Sequence, residues 1–239
     1  ADSSVRQLLG LPSVSKNYHQ TAIVANVGLV QAHAHRAYER FTAHGPLALL
    51  PMKGHRMSLV WAMAPSDATR LLACTDAEFL NQLQQEFGYR LGRFQKIGTR
   101  YPYPLKQVLM PQQMQWPVVF VGNAAHTLHP VAGQGFNLGL RDVAMLAQCI
   151  NKQGLNPEML HDYLKARQHD QQVMTSFTDG LVRVFTNRLP GLGLLRSVGL
   201  VALDNIPAMK KLLAHYARGF GGVVPDLVCD MALNAQEKK

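Results

Sequence analysis

The hydrophobic and polar positions of the first part of the chain predict a short helix followed by closely spaced strands. The helix is predicted over 3–11, where Val5, Leu8 and Leu9 share one face. β-Branched residues concentrated at 18–30 predict the first strand. Further strands are predicted at 37–42, 47–51 and 57–62. The short connections between these strands carry turn residues and therefore favour an antiparallel sheet.

Two helical pieces are predicted between 66 and 87 before the strand pattern returns at 90–110. We expect Asp76 to cap the second piece and Gly88 to end it. The apolar residues of its buried face are Phe79, Leu80, Leu83 and Phe87.

The second half of the chain has a different pattern. The unbroken apolar run 118–121 predicts a buried parallel strand. The chain after 156 is predicted to be mostly helical, with a break at 190–193 and a new helix that starts at Pro207. Another helix is predicted over 136–150, with Phe136, Leu140, Val143, Ala147 and Ile150 on its apolar face.

Chemistry is concentrated in 118–142, between the predicted strand and the predicted helix. Asn123 follows Gly122 at the strand's carboxyl end, the edge where open α/β sheets bind ligands. Gly133 and Gly135 then form a turn ahead of the helix, whose first N–H groups stabilise negative charge. The glycines alone are also consistent with a tight turn, because with Gly139 they miss the dinucleotide spacing by one residue.

A metal site is not predicted here. His126 and His129 are three residues apart, but the sequence offers no third ligand nearby. His126 is instead predicted to hold the loop in place.

The whole segment resembles the second FAD-binding motif of the group A flavin monooxygenases, which include p-hydroxybenzoate hydroxylase-like enzymes. That motif has Gly-Asp-Ala-Ala-His after a strand, then a proline, then Gly-x-Gly-hydrophobic-Asn before a helix with an Arg/Ser-Asp step. Here the corresponding segments are 122–126, Pro130, 133–137 and 141–142. Asn123 replaces the usual aspartate and keeps hydrogen-bonding capacity without the charge.

The asparagine form resembles the ubiquinone-biosynthesis branch of this family. Within that branch, the blocks 38–48, 50–52 and 58–61 most resemble the 2-octaprenyl-6-methoxyphenol hydroxylases. The resemblance implies FAD and NAD(P)H as cofactors, O₂ as a co-substrate and a polyprenyl phenol as substrate, with other ubiquinone-biosynthesis proteins as candidate partners. It leaves open a small soluble phenol as the substrate.

The resemblance also implies a fold, namely an α/β FAD fold that is α+β within this chain. We expect 1–16 to end an FAD-domain segment and 17–110 to form the substrate-binding sheet. We then expect 111–152 to supply an FAD-domain strand, the flavin loop and a helix, with helices over 153–239. Phe41, Met52, Met57, Trp61 and Met63 suit a prenyl chain, and equally an ordinary core.

The expected cofactor-binding residues follow from the same resemblance, and no catalytic side chain is predicted. Backbone N–H groups of Gly135, Phe136 and Asn137 are assigned to the flavin pyrimidine edge, Asn123 to the ribityl chain and Pro130 to the reacting edge of the ring. The full predicted set is Gly122, Asn123, Pro130, Gly133, Gln134, Gly135, Phe136 and Asn137.

The start of the chain resembles half of another family motif, Asp-Gly-x-x-Ser-x-x-Arg. Ser3 and Arg6 match its second part, and the chain contains no G-x-G-x-x-G for the ADP half of FAD. We therefore expect a C-terminal fragment of a hydroxylase that is by itself inactive and holds half of an FAD site.

Charge and cysteine content limit the classes of partner and the cellular compartment that the sequence favours. The 239 residues carry 24 Lys and Arg against 15 Asp and Glu, a net charge of +9, without a dense basic block or a nucleic-acid-binding module. The alternatives left open are a solvated basic surface, an inactive basic binding module and peripheral contact of the C-terminal helices with an anionic membrane. Three distant cysteines favour a reducing cytoplasm, and no nucleic-acid partner is expected.

Overall fold

The computed structural model describes residues 3–186, 199, 201–202, 205–217, 225 and 227. The chain divides into two compact units. Unit 1 comprises residues 1–16 and 106–239, and unit 2 comprises residues 17–105. Unit 2 is therefore one continuous stretch of sequence that interrupts unit 1.

The strands are β1 (Val14–Leu29), β2 (Tyr38–Phe41), β3 (Pro46–Met52), β4 (Arg56–Met63), β5 (Phe94–Ile97), β6 (Tyr101–Leu109), β7 (Met114–Gln115), β8 (Val118–Val119) and β9 (His126–Thr127). The α-helices described are α1 (Ser4–Leu8), α2 (Pro65–Ala73), α3 (Asp76–Phe87), α4 (Gln134–Gln153), α5 (Pro157–Thr186) and α6 (Pro207–Ala217). Two 3₁₀ turns occupy Gly122–Ala124 and Val131–Gly133.

Unit 2 is an antiparallel sheet with one face covered by α2 and α3. Its strand order is β2-β3-β4-β1-β6, and β5 also pairs with β1. Alternate residues of each strand point to the helices. Ile23 and Trp61, which pair in register between β1 and β4, are both buried on that face. Phe79 and Leu83 of α3 complete this core. The predicted antiparallel sheet is confirmed.

The core of unit 2 also accounts for three of the side chains that suited a prenyl chain. Met57, Trp61 and Met63 are buried in the sheet–helix core, whereas Phe41 and Met52 are half-buried. The ordinary-core interpretation is therefore confirmed for the first three.

The N-cap of helix α3 lies one residue earlier than the sequence pattern indicated. Thr75, not Asp76, is the N-cap, and its hydroxyl accepts the Glu78 N–H at 3.3 Å. The Glu78 carboxylate in turn accepts the Thr75 N–H at 2.9 Å. The prediction of Asp76 was wrong because this reciprocal Thr-x-x-Glu pair satisfies two backbone donors, which a lone aspartate does not.

The predicted parallel strand at 118–121 was also wrong. Only Val118–Val119 is a strand, and it pairs antiparallel with β7, Val119 opposite Met114. An apolar run indicates burial but not the direction of the partner, and the two-residue connection Trp116–Pro117 forces an antiparallel pair. Phe120 is buried beside Leu11.

Helix α4 covers the predicted range, but its predicted apolar face is buried only in part, since Ala147 and Ile150 are half-buried. Phe136, Leu140 and Val143 are exposed, at 80%, 54% and 51%. The buried face of α4 carries charged residues among its apolar ones. The hydrophobic pattern of the sequence therefore indicated a different face of the helix. Its members are Leu138, Arg141, Asp142, Met145, Gln148 and Cys149.

The ends of the chain complete unit 1. Helix α1 is capped by Ser3, and its predicted apolar residues Val5 and Leu8 are exposed. Helix α6 starts at Pro207 as predicted, whereas the predicted break at 190–193 lies outside the described residues. Among the helices described, none combines the length and the hydropathy needed to cross a bilayer.

We expect Gly45→Ala to lower the free energy of unfolding by about 3 kcal/mol or more. Gly45 has φ +147°, and an added Cβ would lie far inside van der Waals contact with the Ala62 carbonyl oxygen. Gly54, in the next hairpin turn, has φ +75° and no atom within 4 Å of such a Cβ. Gly54→Ala is thus a control expected to cost about 1–2 kcal/mol from backbone strain alone. Urea unfolding measures both, and equal losses would contradict the steric argument.

Candidate functional site

The start of α4 has no side-chain cap. Its N-cap, Gly133, has φ +61°. In a helix that begins at Gln134, the N–H groups of Gly135 and Phe136 have no intrahelical acceptor, whereas that of Asn137 reaches the Gly133 carbonyl. Together with the helix dipole, these donors favour an anionic or electron-rich group at this end.

A pair of glycines brings the 122–124 turn against α4. Gly122 has φ +55°, and a Cβ added at Gly139 would lie 3.1 Å from the Gly122 Cα. Glycine at 139 allows this close backbone approach, and glycine at 122 suits the positive φ, since a Cβ there would lie 3.7 Å from the Gly139 Cα. Asn123, the next residue, is exposed and follows directly on the point of contact.

The buried carboxylate of Asp142 ties four segments together. Its Oδ2 accepts the Gly122 N–H at 3.2 Å and lies 2.5 Å from His126 Nε2. Its Oδ1 accepts Arg167 Nε–H at 2.8 Å and the Gln171 amide at 3.2 Å. Burial alone raises the pKa of Asp142, but the bond from His126 and the positive charge of Arg167 outweigh it and lower the pKa.

A second buried carboxylate, Asp170, extends this network along α5. Arg141 donates to both of its oxygens, at 2.8 and 3.3 Å, and Arg167 approaches it at 2.6 Å. Two arginines and two aspartates therefore alternate in a buried cluster with balanced charge. The loss of any member would destabilise the chain, because it would leave a buried charge without compensation.

His129 is held in the neutral form. Its Nδ1 accepts the Val131 N–H at 3.1 Å, so that nitrogen carries no proton. Burial lowers the pKa of His129 to about 4. His126 is engaged with Asp142, as expected for a structural residue. Within the part of the chain that the structure describes, no three His, Cys, Asp or Glu side chains form a metal-binding group.

The predicted cofactor residues all lie around one loop of unit 1. Gln134 is buried, and Gly122 and Gly135 are half-buried. The binding roles assigned to them stay predictions. The exposed members of the set are Asn123, Pro130, Gly133, Phe136 and Asn137.

Four supporting residues were missed from the sequence: Gly139, Arg167, Asp170 and Gln171. The signal for two of them is visible afterwards. Arg167 and Asp170 continue the stripe of α5 that contains Tyr163 and Met174, all fully buried. Charged residues at helical spacing within an apolar stripe indicate a buried ion pair, but not its partner on another helix.

We expect Gly139→Ala to destabilise the chain by about 1–2 kcal/mol although alanine favours helix. The new Cβ meets a Gly122 backbone that Asp142 holds in place. Gly180, within α5, has no atom within 4 Å of an added Cβ. Gly180→Ala should therefore stabilise by about 0.5–1 kcal/mol. Thermal unfolding compares the two, and a gain in both would refute close packing at Gly139.

We expect stability to fall by roughly 3 kcal/mol between pH 6.5 and pH 4 because of His129. The unfolded state takes up a proton near the ordinary histidine pKa, whereas the folded state does so only near 4. The contribution is thus complete above pH 6.5 and lost toward pH 4. Asp142, with its lowered pKa, loses its contribution only at more acidic pH.

His129→Gln should flatten this pH dependence in denaturant titrations, since glutamine keeps an acceptor but does not ionise. His161→Gln, at an exposed position of α5, is the matched control and should leave the slope unchanged. An unchanged slope in His129→Gln would assign the effect to another group.

Comparison with known proteins gives relatives of this chain. It is 38% identical over 223 residues to ubiquinone hydroxylase UbiL of Rhodospirillum rubrum, covering 91% of this chain and 52% of that protein. It is 32% identical over 225 residues to 3-demethoxyubiquinol 3-hydroxylase of Escherichia coli, covering 92% and 57%. The chain thus spans about half the length of the curated relatives it matches.

A solved structure is similar over most of the chain. p-Nitrophenol 4-monooxygenase PnpA of Pseudomonas putida superposes with a TM-score of 0.72 at 20% identity, covering 94% of this chain and 58% of that one. This likeness confirms the predicted fold class, an α/β fold of the p-hydroxybenzoate hydroxylase-like kind. The family model described as FAD binding domain matches residues 1–178, so the chain belongs to the FAD binding domain family.

Proposed function

We propose that this chain belongs to an FAD-dependent aromatic monooxygenase that hydroxylates a polyprenylated phenol in ubiquinone biosynthesis. Membership of the FAD binding domain family supports the cofactor. Two relatives named as a ubiquinone hydroxylase and a 3-demethoxyubiquinol 3-hydroxylase support the substrate class. Because the chain spans about half of each relative, the proposal concerns the activity of the whole protein.

The observation that carries the proposal is the open start of α4 beside the 122–124 turn. Neither Gly133 nor Gly135 has an atom within 4 Å of an added Cβ, so the backbone there is accessible to a planar ring. The uncapped donors of this helix start match a ring edge that accepts hydrogen bonds and bears negative charge when reduced. The residues present therefore fit a flavin.

Each residue has a proposed role in holding that flavin. The first N–H groups of α4, at Gly135 and Phe136, would face the pyrimidine edge, whereas the N–H predicted for that role at Asn137 is bonded within the helix. Asn123 would bond the ribityl chain, and Pro130 would lie at the reacting edge. FAD, when bound, supplies the redox chemistry, with electrons from NAD(P)H and oxygen from O₂. The protein orients the ring and stabilises its charge.

The proposed substrate also suggests where the protein works. A polyprenyl chain partitions into lipid, so we propose that the enzyme is cytoplasmic and meets its substrate at the membrane surface. Contact with other ubiquinone-biosynthesis proteins belongs to the same proposal. Three of the residues by which the predicted C-terminal helices suggest membrane contact, Leu200, Leu203 and Arg218, lie outside the described residues.

The first test is flavin retention by the full-length protein, measured from the visible spectrum after incubation with FAD and desalting. Gly135→Val should weaken FAD binding by at least about tenfold, because the side chain blocks the backbone donors. Gly180→Val makes the same change in α5, away from the loop, and should retain flavin. Equal retention in both variants would remove the α4 start from the site.

The second test separates the substrate classes. With NAD(P)H and O₂, the holoenzyme should hydroxylate a prenylated phenol, with the 2-octaprenyl-6-methoxyphenol type as the first choice. Turnover of only a water-soluble phenol would favour the alternative hydroxylase. A protein that keeps no flavin but binds nucleic acid with steep salt dependence would instead be a basic binding module.

A further inference from the structure

We propose that unit 2 contains a separate binding site for a phosphate-bearing anion at the end of β1, β4 and β5. A cavity of about 810 Å³ opens there, within the size range of small-molecule sites. Every residue that lines it belongs to unit 2, so the proposal does not depend on the flavin site. The lining residues whose side chains carry the argument are Asn26, His55, Arg56, Gln95 and Lys96.

A glycine between two cations forms the centre of the cavity. Gly28 pairs in register with Arg56 on β4 and with Lys96 on β5. Register partners point to the same face, so the two cationic side chains stand on either side of a position without a side chain. A Cβ at Gly28 would lie 3.3 Å from the Lys96 Cβ. The missing side chain therefore creates a notch that any other residue would fill.

The next row of the sheet repeats this arrangement with neutral groups. Asn26 pairs with Ser58, and its carbonyl accepts the Gly98 N–H at 2.8 Å. The face carries Gly28 and Gly98 as a floor of backbone, with Asn26 as a polar wall. This is the face opposite the helices, because Val27 and Leu29 point into the core.

A β-bulge shapes the rim. Gly28 is opposite Lys96 and Leu29 is opposite Phe94, which leaves Gln95 without a partner on β1. A bulge redirects side chains at a sheet end, and Gln95 accordingly lines the cavity.

The charge around the notch is not compensated. Lys53, Arg56, Arg93 and Lys96 are exposed, and across the described residues none of these four pairs with a carboxylate. The segments 53–56 and 93–98 contain no Asp or Glu. A solvated face carries scattered charges, whereas here Arg56 and Lys96 both line a concave, glycine-floored notch. Phosphate, with several acceptor oxygens, suits two flanking cations and an amide.

The ligand chemistry has two sources, a soluble phosphate compound or the phosphate headgroup of a lipid. Pyrophosphate is the probe for the first, titrated by calorimetry into the full protein. Vesicles of phosphatidylcholine with and without phosphatidylglycerol are the probe for the second, measured by co-sedimentation. Binding of pyrophosphate identifies a soluble ligand. Binding only to the vesicles that contain phosphatidylglycerol identifies a headgroup, and either result supports the site.

Two variants tie the binding to the notch. The double change Arg56→Gln and Lys96→Gln should weaken the observed binding by about tenfold or more. Arg36→Gln with Lys165→Gln removes the same charge from exposed positions elsewhere and should change it by less than about twofold. Gly28→Val keeps the charge but fills the notch, and should weaken binding as the double variant does.

The proposal is overturned if neither probe binds, or if the control double variant loses as much as Arg56→Gln with Lys96→Gln, since diffuse charge then accounts for the effect. It is equally overturned if Gly28→Val binds like the parent. Unchanged thermal unfolding in each variant, measured alongside, confirms that a loss of binding is not a loss of fold.

Discussion

The candidate flavin site depends on one buried carboxylate. Asp142 accepts from the Gly122 backbone, from His126, and from Arg167 and Gln171 of α5. These donors and the carboxylate are buried together, so breaking any one bond leaves a buried polar group less well satisfied, and the segments that carry the donors are held in one arrangement. The loop is therefore positioned by electrostatics, while apolar packing supplies the surrounding support.

Gly139 and Asp142 act together because they are three positions apart on α4, which places both on one helix face. The glycine allows the 122–124 turn to approach, and the carboxylate fixes it there by its bond to the Gly122 N–H. The buried carboxylate of α4 thus holds a neighbouring turn in place, and the start of the helix has no side-chain cap. A preformed cradle of this kind does not have to be ordered when a ligand binds.

The sequence predicted most of unit 2, because its alternating strands and short turns are local signals. It failed where a decision depended on a distant partner. The face of α4 was chosen by apolar positions, but Arg141 and Asp142 are buried through partners on α5. Likewise, the run at 118–121 indicated burial without revealing that Met114 pairs with Val119. The resemblance located the loop at 122–137, but not the residues of α5 that support it.

The interruption of unit 1 by unit 2 has a consequence for how the chain folds during synthesis. Residues 17–105 emerge from the ribosome as a continuous stretch that contains most of β1, all of β2 to β5, α2 and α3, and the first part of β6, so unit 2 is able to fold while translation continues. The first segment of unit 1 has to wait. Its Lys16 pairs with Asp179 of α5, which is made much later. Unit 1 therefore closes late, through a contact of very long sequence separation, and that makes it the slower of the two to fold.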